Sequence, residues 1–320
     1  MKKSIGMAFL ILMATGCARS QEYARKQEVV DEPVSYYNRA DEAPQPPTQR
    51  LAQLGQPKKR IVVFNFWNDT PTDYKELGTF AADELRRELH QTERLILPQD
   101  LRTQLETSDF IQGDKVRVAQ LIQEGRRMGV AVLVIGRIKR VLFRQRGDEV
   151  GLFRQKQSLA AADVEIKMFD VAAGREMMAS AHAGESSNNA VVTMEGSDMQ
   201  TPEYRAELIK LAIREAMKQF TNDVIRGIEK MTWQGAIAKI TGQKVYLNSG
   251  RVSGLVGGDI LKVLTKGDDV YDPETGAYLG RSQGQLKGTL EVVDFIGEDA
   301  AVANIHTGGQ FQEGDVVRLY

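Results

Sequence analysis

Residues 60–66 read Arg-Ile-Val-Val-Phe-Asn-Phe, and residues 131–136 read Ala-Val-Leu-Val-Ile-Gly. Their apolar character is almost unbroken, which is typical of strands that are covered on both faces. Between them, residues 74–90 and 115–128 place apolar side chains at the spacing of one helix face, and a short strand over residues 95–97 separates these two helices. This order predicts an α/β (α+β) fold, with helices packed on a mixed sheet in a three-layer sandwich.

The pattern changes after residue 136. Residues 163–168 alternate charged and apolar side chains, as in a half-buried antiparallel strand, and residues 177–183 are expected to return as its partner after a turn. The longest predicted helix, over residues 203–230, carries a wide apolar stripe without a comparable cationic face. We therefore expect it to pack in the core rather than on a membrane.

A second unit begins near Trp233. Residues 236–240 and 244–247 flank a short Thr-Gly-Gln turn, and further short strands follow, separated by glycine-containing turns. This pattern predicts a small β-barrel or sandwich over residues 233–320. Gly-Asp pairs at positions 258–259 and 314–315 are expected to mark equivalent corners within it.

The single cysteine of the chain, Cys17, follows a short apolar run. Lys2 and Lys3 give a positive start, residues 5–13 are apolar but too few to span a bilayer as a helix, and Ala-Thr-Gly leads into the cysteine. The segment resembles the lipobox of bacterial lipoproteins. The resemblance implies that residues 1–17 hold a signal peptide and lipobox, and that Cys17 becomes the acylated N-terminus of the mature protein. An ordinary signal peptide with an incidental cysteine is the alternative.

The residues that follow suggest where the protein is held. In lipoproteins, an aspartate after the cysteine favours the inner membrane, so Ala18 implies by analogy an outer-membrane anchor with the folded part on the periplasmic face. Residues 18–59 are polar and contain five prolines. Such a segment is expected to form a disordered, extended tether with a reach on the order of 100 Å.

Residues 58–232 resemble the CsgG family of outer-membrane lipoproteins, which assemble curli. The resemblance is carried by the strand over residues 60–66 with its Asn-Asp-Thr turn at 68–70, by the Val-Leu-Val-Ile-Gly strand, and by the Val-Ala-Ala-Gly-Arg-Glu turn at 171–176. It implies a homo-oligomer that assembles or secretes a surface structure, either a curli-like fibre or a flagellar appendage. Residues 233–320 resemble the C-terminal SH3-like barrel of the flagellar protein FlgT, through residues 254–259 and 272–276.

CsgG subunits contribute two hairpins each to a membrane channel. The corresponding residues here are 137–157, which carry charges on both alternation phases, and 182–200, whose apolar centre is only three residues long. Charges that face lipid are costly, so we expect a soluble periplasmic relative rather than a channel. The basic stretch over residues 137–146 could attract anionic lipid or an acidic partner; the reading as a charged edge strand is preferred.

Catalytic signals are weak. His90, His182 and His306 lie in unrelated contexts without metal-ligand spacing, and no helix is expected after the glycine-rich residues 254–259. Asp268, Asp272 and Glu274 are best interpreted as an acidic hairpin turn rather than a calcium site.

These observations predict a protein that is not an enzyme and has no catalytic residue, no metal and no cofactor. The formal net charge of −1 gives no drive toward nucleic acid. The expected partners are outer-membrane lipid through acylated Cys17, further copies of the chain and an unidentified periplasmic or outer-membrane protein. Two alternatives remain: a tethered regulator of a cell-wall synthase, similar to LpoB-like lipoproteins, and a CsgG-type secretion channel.

Overall fold

The computed structural model of the chain describes residues 55–71, 74, 76–98, 105–147, 156–187 and 201–320. Residues 51–320 form one compact unit. The predicted signal peptide with Cys17 and nearly all of the predicted tether lie outside the described residues, so both assignments remain predictions. The division of the chain into residues 1–17, 18–59, 60–232 and 233–320 is likewise a prediction.

An α/β part comes first in the chain. It contains the strands β1 (Lys59–Val63), β2 (Trp67–Asn68), β3 (Leu95–Ile96), β4 (Ile111–Gln112), β5 (Lys115–Val116), β6 (Val132–Gly147), β7 (Lys156–Asp170) and β8 (Arg175–Ser187), and the helices α1 (Leu77–Gln91), α2 (Val118–Met128) and α3 (Pro202–Glu229). The main sheet has the order β3-β1-β6-β7-β8, with β2 also beside β6. Strand β1 runs parallel to β3 and β6, whereas β6, β7 and β8 are antiparallel.

Two hydrophobic clusters on opposite sides of the sheet explain the unbroken apolar strands. Ile61 and Val63 belong to the cluster with α1 and α3, whereas Val62 and Phe64 belong to the cluster with α2. Successive side chains of a strand point to opposite faces, so a strand covered on both sides needs apolar residues at every position. The predicted three-layer α/β sandwich is confirmed.

The predicted start of the second helix is wrong. Lys115 and Val116 pair with Ile111 and Gln112 in a two-stranded hairpin, and α2 begins at Val118. Gly113, in the turn of this hairpin, has a φ of 61°. This left-handed conformation suits glycine and does not occur within an α-helix. The predicted stop at Gly129 is confirmed, since this residue closes α2 in the left-handed conformation.

The C-terminal part is a closed barrel, as predicted. Its strands are β9 (Gly235–Thr241), β10 (Lys244–Leu247), β11 (Ile260–Leu264), β14 (Leu286–Ile296), β15 (Ala300–Gly308) and β16 (Val316–Leu319); between β11 and β14 the short strands β12 (Asp269–Tyr271) and β13 (Tyr278–Arg281) form a separate hairpin. The barrel closes in the order β10-β15-β14-β11-β16-β9 and encloses a core that includes Trp233, Leu261 and Leu290.

The two Gly-Asp corners of the barrel are equivalent. At Gly258–Asp259 the glycine N–H donates to the carbonyl of Val292 at 2.7 Å, and the aspartate carbonyl accepts from the N–H of Val292 at 2.9 Å. At Gly314–Asp315 the same two bonds join Ile237, at 2.8 and 2.9 Å. The φ angles of the two glycines are 85° and 87°. Each pair therefore starts a strand by bonding one residue of a neighbouring strand twice.

Asp299 attaches the barrel to β1. Its carboxylate accepts hydrogen bonds from the N–H groups of Gly250 and Ser253 at 2.7 and 2.9 Å, from the Ser253 hydroxyl at 2.5 Å and from Arg60 Nη2 at 3.0 Å. Burial opposes ionisation, but these bonds outweigh it and hold the pKa of Asp299 below its usual range. Lys58 adds a backbone bond to the Ser253 carbonyl at 2.8 Å.

Candidate binding cleft

A cleft of about 300 Å³ opens between the β4–β5 hairpin and the face of β6 and β7 that α2 covers further along. Its apolar lining includes Ile111, Val116 and Ile135. Its charged lining consists of Asp114, Arg137, Lys139, Glu165 and Lys167. In the sheet register Arg137 lies across from Glu165, and Ile135 across from Lys167. The lining therefore holds three cations and one carboxylate on one face of β6 and β7, and a second carboxylate, Asp114, in the turn of the hairpin.

Arg137 is the most tightly positioned of these side chains. Its guanidinium lies 4.5 Å from the ring centre of Trp67, its partner in the β2–β6 pairing. Nε donates to Asp69 Oδ2 at 2.9 Å, Nη2 donates to the same oxygen, and Nη1 donates to Asp114 Oδ1 at 2.9 Å. Burial opposes the charged form, but the bonds and fields of Asp69 and Asp114 outweigh it and raise the pKa of Arg137. The guanidinium is held in place before any ligand arrives.

The two lysines of the cleft are held less firmly. Lys139 Nζ lies 2.5 Å from Glu165 Oε2, and Lys167 Nζ lies 3.7 Å from Glu176 Oε2. The side chains of Lys139 and Lys167 are 50% and 30% exposed, so both ammonium groups can turn toward a ligand at little cost. The arrangement suits the binding of a charged group rather than proton transfer, because each acid faces a cation.

The prediction that residues 137–146 form a charged edge strand is wrong for Arg137. Strand β6 lies between β2 and β7 at this position, and β2 ends opposite Ile138. Among the described residues, β6 has only β7 beside it from Arg140 onward, so the edge interpretation applies to that portion.

A Ser-His-Asp cluster does assemble between β8 and α3, but it lacks the geometry of a catalytic triad. Asp223 Oδ2 lies 2.7 Å from His182 Nε2 and accepts from the Ser180 hydroxyl at 2.5 Å, and His182 Nε2 is 3.3 Å from Ser180 Oγ. In a triad, one ring nitrogen faces the serine and the other faces the acid. Here one nitrogen faces both, and the serine proton goes to the carboxylate, so Ser180 is not activated as a nucleophile.

The cluster predicts a pH dependence of stability. Burial opposes ionisation of Asp223, but hydrogen bonds from Ser180, His182 and Arg226 outweigh it and lower the pKa of Asp223. A carboxylate whose pKa is lowered in the folded state stabilises the fold at pH values above its pKa in the unfolded chain, which is about 4. This contribution is lost as the pH falls through the pKa of the folded state. The wild type should therefore lose more stability than Asp223→Asn between about pH 5 and 2. Urea denaturation of both proteins across this pH range measures the difference. Equal losses of stability in the wild type and Asp223→Asn would contradict the lowered pKa of Asp223.

The remaining candidates are not gathered into a site. His90 lies at the end of α1 and His306 on β15, both exposed. Asp272 Oδ1 accepts from the N–H groups of Glu274 and Thr275, each at 2.8 Å, as expected of an acidic turn. Within the described part of the chain, no three His, Cys, Asp or Glu side chains are placed to hold a metal ion.

The cleft was not predicted from the sequence because residues 115 and 116, which belong to the β4–β5 hairpin, were assigned to a helix. The signal was present: Gly113 and Asp114 separate the pairs Ile111-Gln112 and Lys115-Val116, and a two-residue Gly-Asp loop favours a hairpin. The helical spacing of the residues that follow obscured it.

No family model matches the chain, and no curated protein matches it. Similar solved structures include a hypothetical protein from Chlamydia trachomatis (12% identity, TM-score 0.31, covering 54% of this chain and 96% of the other) and a lipoprotein from Neisseria meningitidis (12%, 0.27, 52% and 99%). The dodecameric PelC from Paraburkholderia phytofirmans is another (12%, 0.27, 50% and 86%). At these identities and TM-scores, the similarity carries no conclusion about function.

Among the described residues, no helix is both long enough and apolar enough to cross a membrane.

Proposed function

We propose that this chain is a CsgG-type lipoprotein of the outer membrane, anchored through acylated Cys17, with its folded part on the periplasmic face. It acts without catalysis, as a homo-oligomer, in the assembly or secretion of a surface structure such as a curli-like fibre or a flagellar appendage. The observation that carries the proposal is the position of the only cysteine, directly after a short apolar run and three small residues. Several acyl chains on one residue give stable attachment.

The cleft supports a role in binding. Arg137, the side chain of the cleft with the most contacts described above, is fixed by Trp67 and Asp69 and offers a guanidinium edge at the protein surface. The carboxylates of the cleft are paired with cations, Asp114 with Arg137 and Glu165 with Lys139, rather than with a nucleophile. A cleft of this kind can dock a segment of a partner protein while the lipid keeps the chain at the membrane.

Replacing the cysteine tests the anchor. Cys17→Ser removes the sulfur that would carry lipid, so we expect the variant to leave the outer-membrane fraction and to lose palmitate labelling completely. Density-gradient fractionation of cells that express the wild type or the variant measures this. The control is Ser20→Ala, a hydroxyl change within the same segment, which should keep its membrane attachment.

Full retention of Cys17→Ser in the outer-membrane fraction would overturn the anchor. The same variant, if released, allows the oligomer to be tested by light scattering in buffer without detergent. A discrete oligomer supports a soluble assembly, and aggregates that only detergent resolves into a large ring would support the channel alternative instead.

A further inference from the structure

We infer that the cleft binds the carboxylate of an acidic peptide segment of a partner protein, and that Asp114 occupies the position of this carboxylate in the unbound protein. Asp114 is thus a built-in competitor of the ligand. The inference rests on the binding role proposed above for the cleft and does not depend on the lipid anchor.

The guanidinium of Arg137 is prepared for one further carboxylate. The ring of Trp67 lies against the guanidinium, and Asp69 accepts hydrogen bonds from Nε and Nη2. The orientation of the guanidinium is therefore set by β2 and by the residue that follows it. Nη1 is left to point at Asp114. A planar guanidinium that is held in this way recognises carboxylates with little loss of side-chain freedom.

Asp114 is suited to being displaced. Its side chain is 89% exposed, whereas that of Arg137 is only 23% exposed. It lies in the two-residue turn of the β4–β5 hairpin, beside Gly113 in the left-handed conformation. An ion pair with one partner almost fully in water contributes little to stability, so a ligand carboxylate can replace Asp114 at low cost.

The surroundings of Arg137 favour an extended peptide over a phosphate. Glu165 lies across from Arg137 in the sheet and would repel a doubly charged group more than a single carboxylate. Ile111, Val116 and Ile135 offer apolar contacts that an aliphatic side chain can use and a free anion cannot.

The spacing of the cations also matches a peptide. Arg137 and Lys167 are diagonal neighbours on β6 and β7, at a separation of roughly 7 Å. Alternate residues of an extended chain lie about 7 Å apart on one side. Acidic residues at positions i and i+2 of a bound segment would therefore reach Arg137 and Lys167 together.

The experiment uses the full mature chain in a non-ionic detergent. The probe is a fluorescein-labelled decapeptide of alternating Glu and Ala, and its binding is followed by anisotropy at low salt, with Gln-Ala and Lys-Ala peptides as references. The variants are Arg137→Gln and Asp114→Asn. Arg140→Gln is the control for the lost positive charge, because Arg140 is on the same strand but outside the cleft lining. Glu215→Gln, at an exposed position of α3, is the control for the lost negative charge.

We expect the Glu-Ala peptide to bind and the other two not to bind. Arg137→Gln should weaken binding at least about tenfold, and Asp114→Asn should tighten it about threefold to tenfold, with both controls close to the wild type. Thermal unfolding verifies that each variant is folded. Arg137→Lys keeps the charge but loses the planar guanidinium, so its affinity for the Glu-Ala peptide should lie between those of the wild type and Arg137→Gln.

The inference is overturned if the Glu-Ala peptide does not bind, if the Gln-Ala peptide binds equally well, or if Asp114→Asn weakens binding. It is also overturned if Arg140→Gln has the effect of Arg137→Gln. Because the assay is performed in detergent, its failure is distinct from failure of the membrane fractionation, which concerns the anchor alone.

Discussion

Replacing Gly184 by alanine should lower the free energy of unfolding by about 3 kcal/mol, at the upper end of what a single added methyl group costs in a packed core. Gly184 lies on β8, directly against the backbone of α3. A Cβ at this position would overlap the carbonyl oxygen of Ala212 and lie 2.8 Å from the N–H nitrogen of Ala216. Both are backbone atoms of α3, which cannot turn aside as a flexible side chain can. The helix would have to move away from the sheet.

Urea denaturation measures this change, and Gly309→Ala provides the matched control. No heavy atom lies within 4 Å of a Cβ built at Gly309, so this variant should unfold like the wild type to within about 0.5 kcal/mol. If Gly184→Ala were as stable as Gly309→Ala, the close packing of α3 on β8 would be incorrect.

Removal of the Asp299 carboxylate should cost about 3 kcal/mol of stability, through Asp299→Ala. The side chain is only 10% exposed, and its two oxygens accept four hydrogen bonds. Without it, the N–H groups of Gly250 and Ser253, in the loop between β10 and β11, lose their acceptor, and Arg60 loses its counter-ion. The loss should be accompanied by weaker attachment of the barrel to β1, because Arg60 belongs to that strand.

Asp294→Ala is the control for this prediction. Asp294 is an exposed aspartate on β14 whose carboxylate accepts a hydrogen bond from the N–H of Phe295, so its replacement should change the free energy of unfolding by less than about 0.5 kcal/mol. Limited proteolysis gives a second measure: Asp299→Ala should be cleaved faster than Asp294→Ala between the two parts of the chain. Similar stability and equal cleavage rates would contradict the role assigned to Asp299.

The sequence was a good guide where a pattern is local. Unbroken apolar runs identified β1 and β6 as strands covered on both faces, and alternation identified β7, because burial follows directly from strand geometry. The Gly-Asp corners of the barrel were visible as a repeated pair, since each sets a backbone conformation at its own position. The hairpin over residues 111–116 was missed because it is short and next to a strongly helical pattern.

The cleft could not be predicted because its contacts join residues that are distant in sequence. Arg137 is 68 residues from Asp69 and 23 from Asp114, and only the parallel pairing of β2 with β6 brings the first pair together. The same holds for His182 and Asp223, which are 41 residues apart, and for Arg60 and Asp299, which are 239 apart. Residue type indicated charge at these positions, whereas the tertiary packing of strands, helices and turns determines which charges meet.

In the function proposed here, the chain is held at the membrane by lipid on Cys17. Mass spectrometry of the N-terminal peptide of the mature protein tests it most directly. We expect a peptide that begins at Cys17 and carries the added mass of a diacylglyceryl group and a further acyl chain. An unmodified peptide, or one that begins at another residue and leaves the cysteine thiol free, would contradict it.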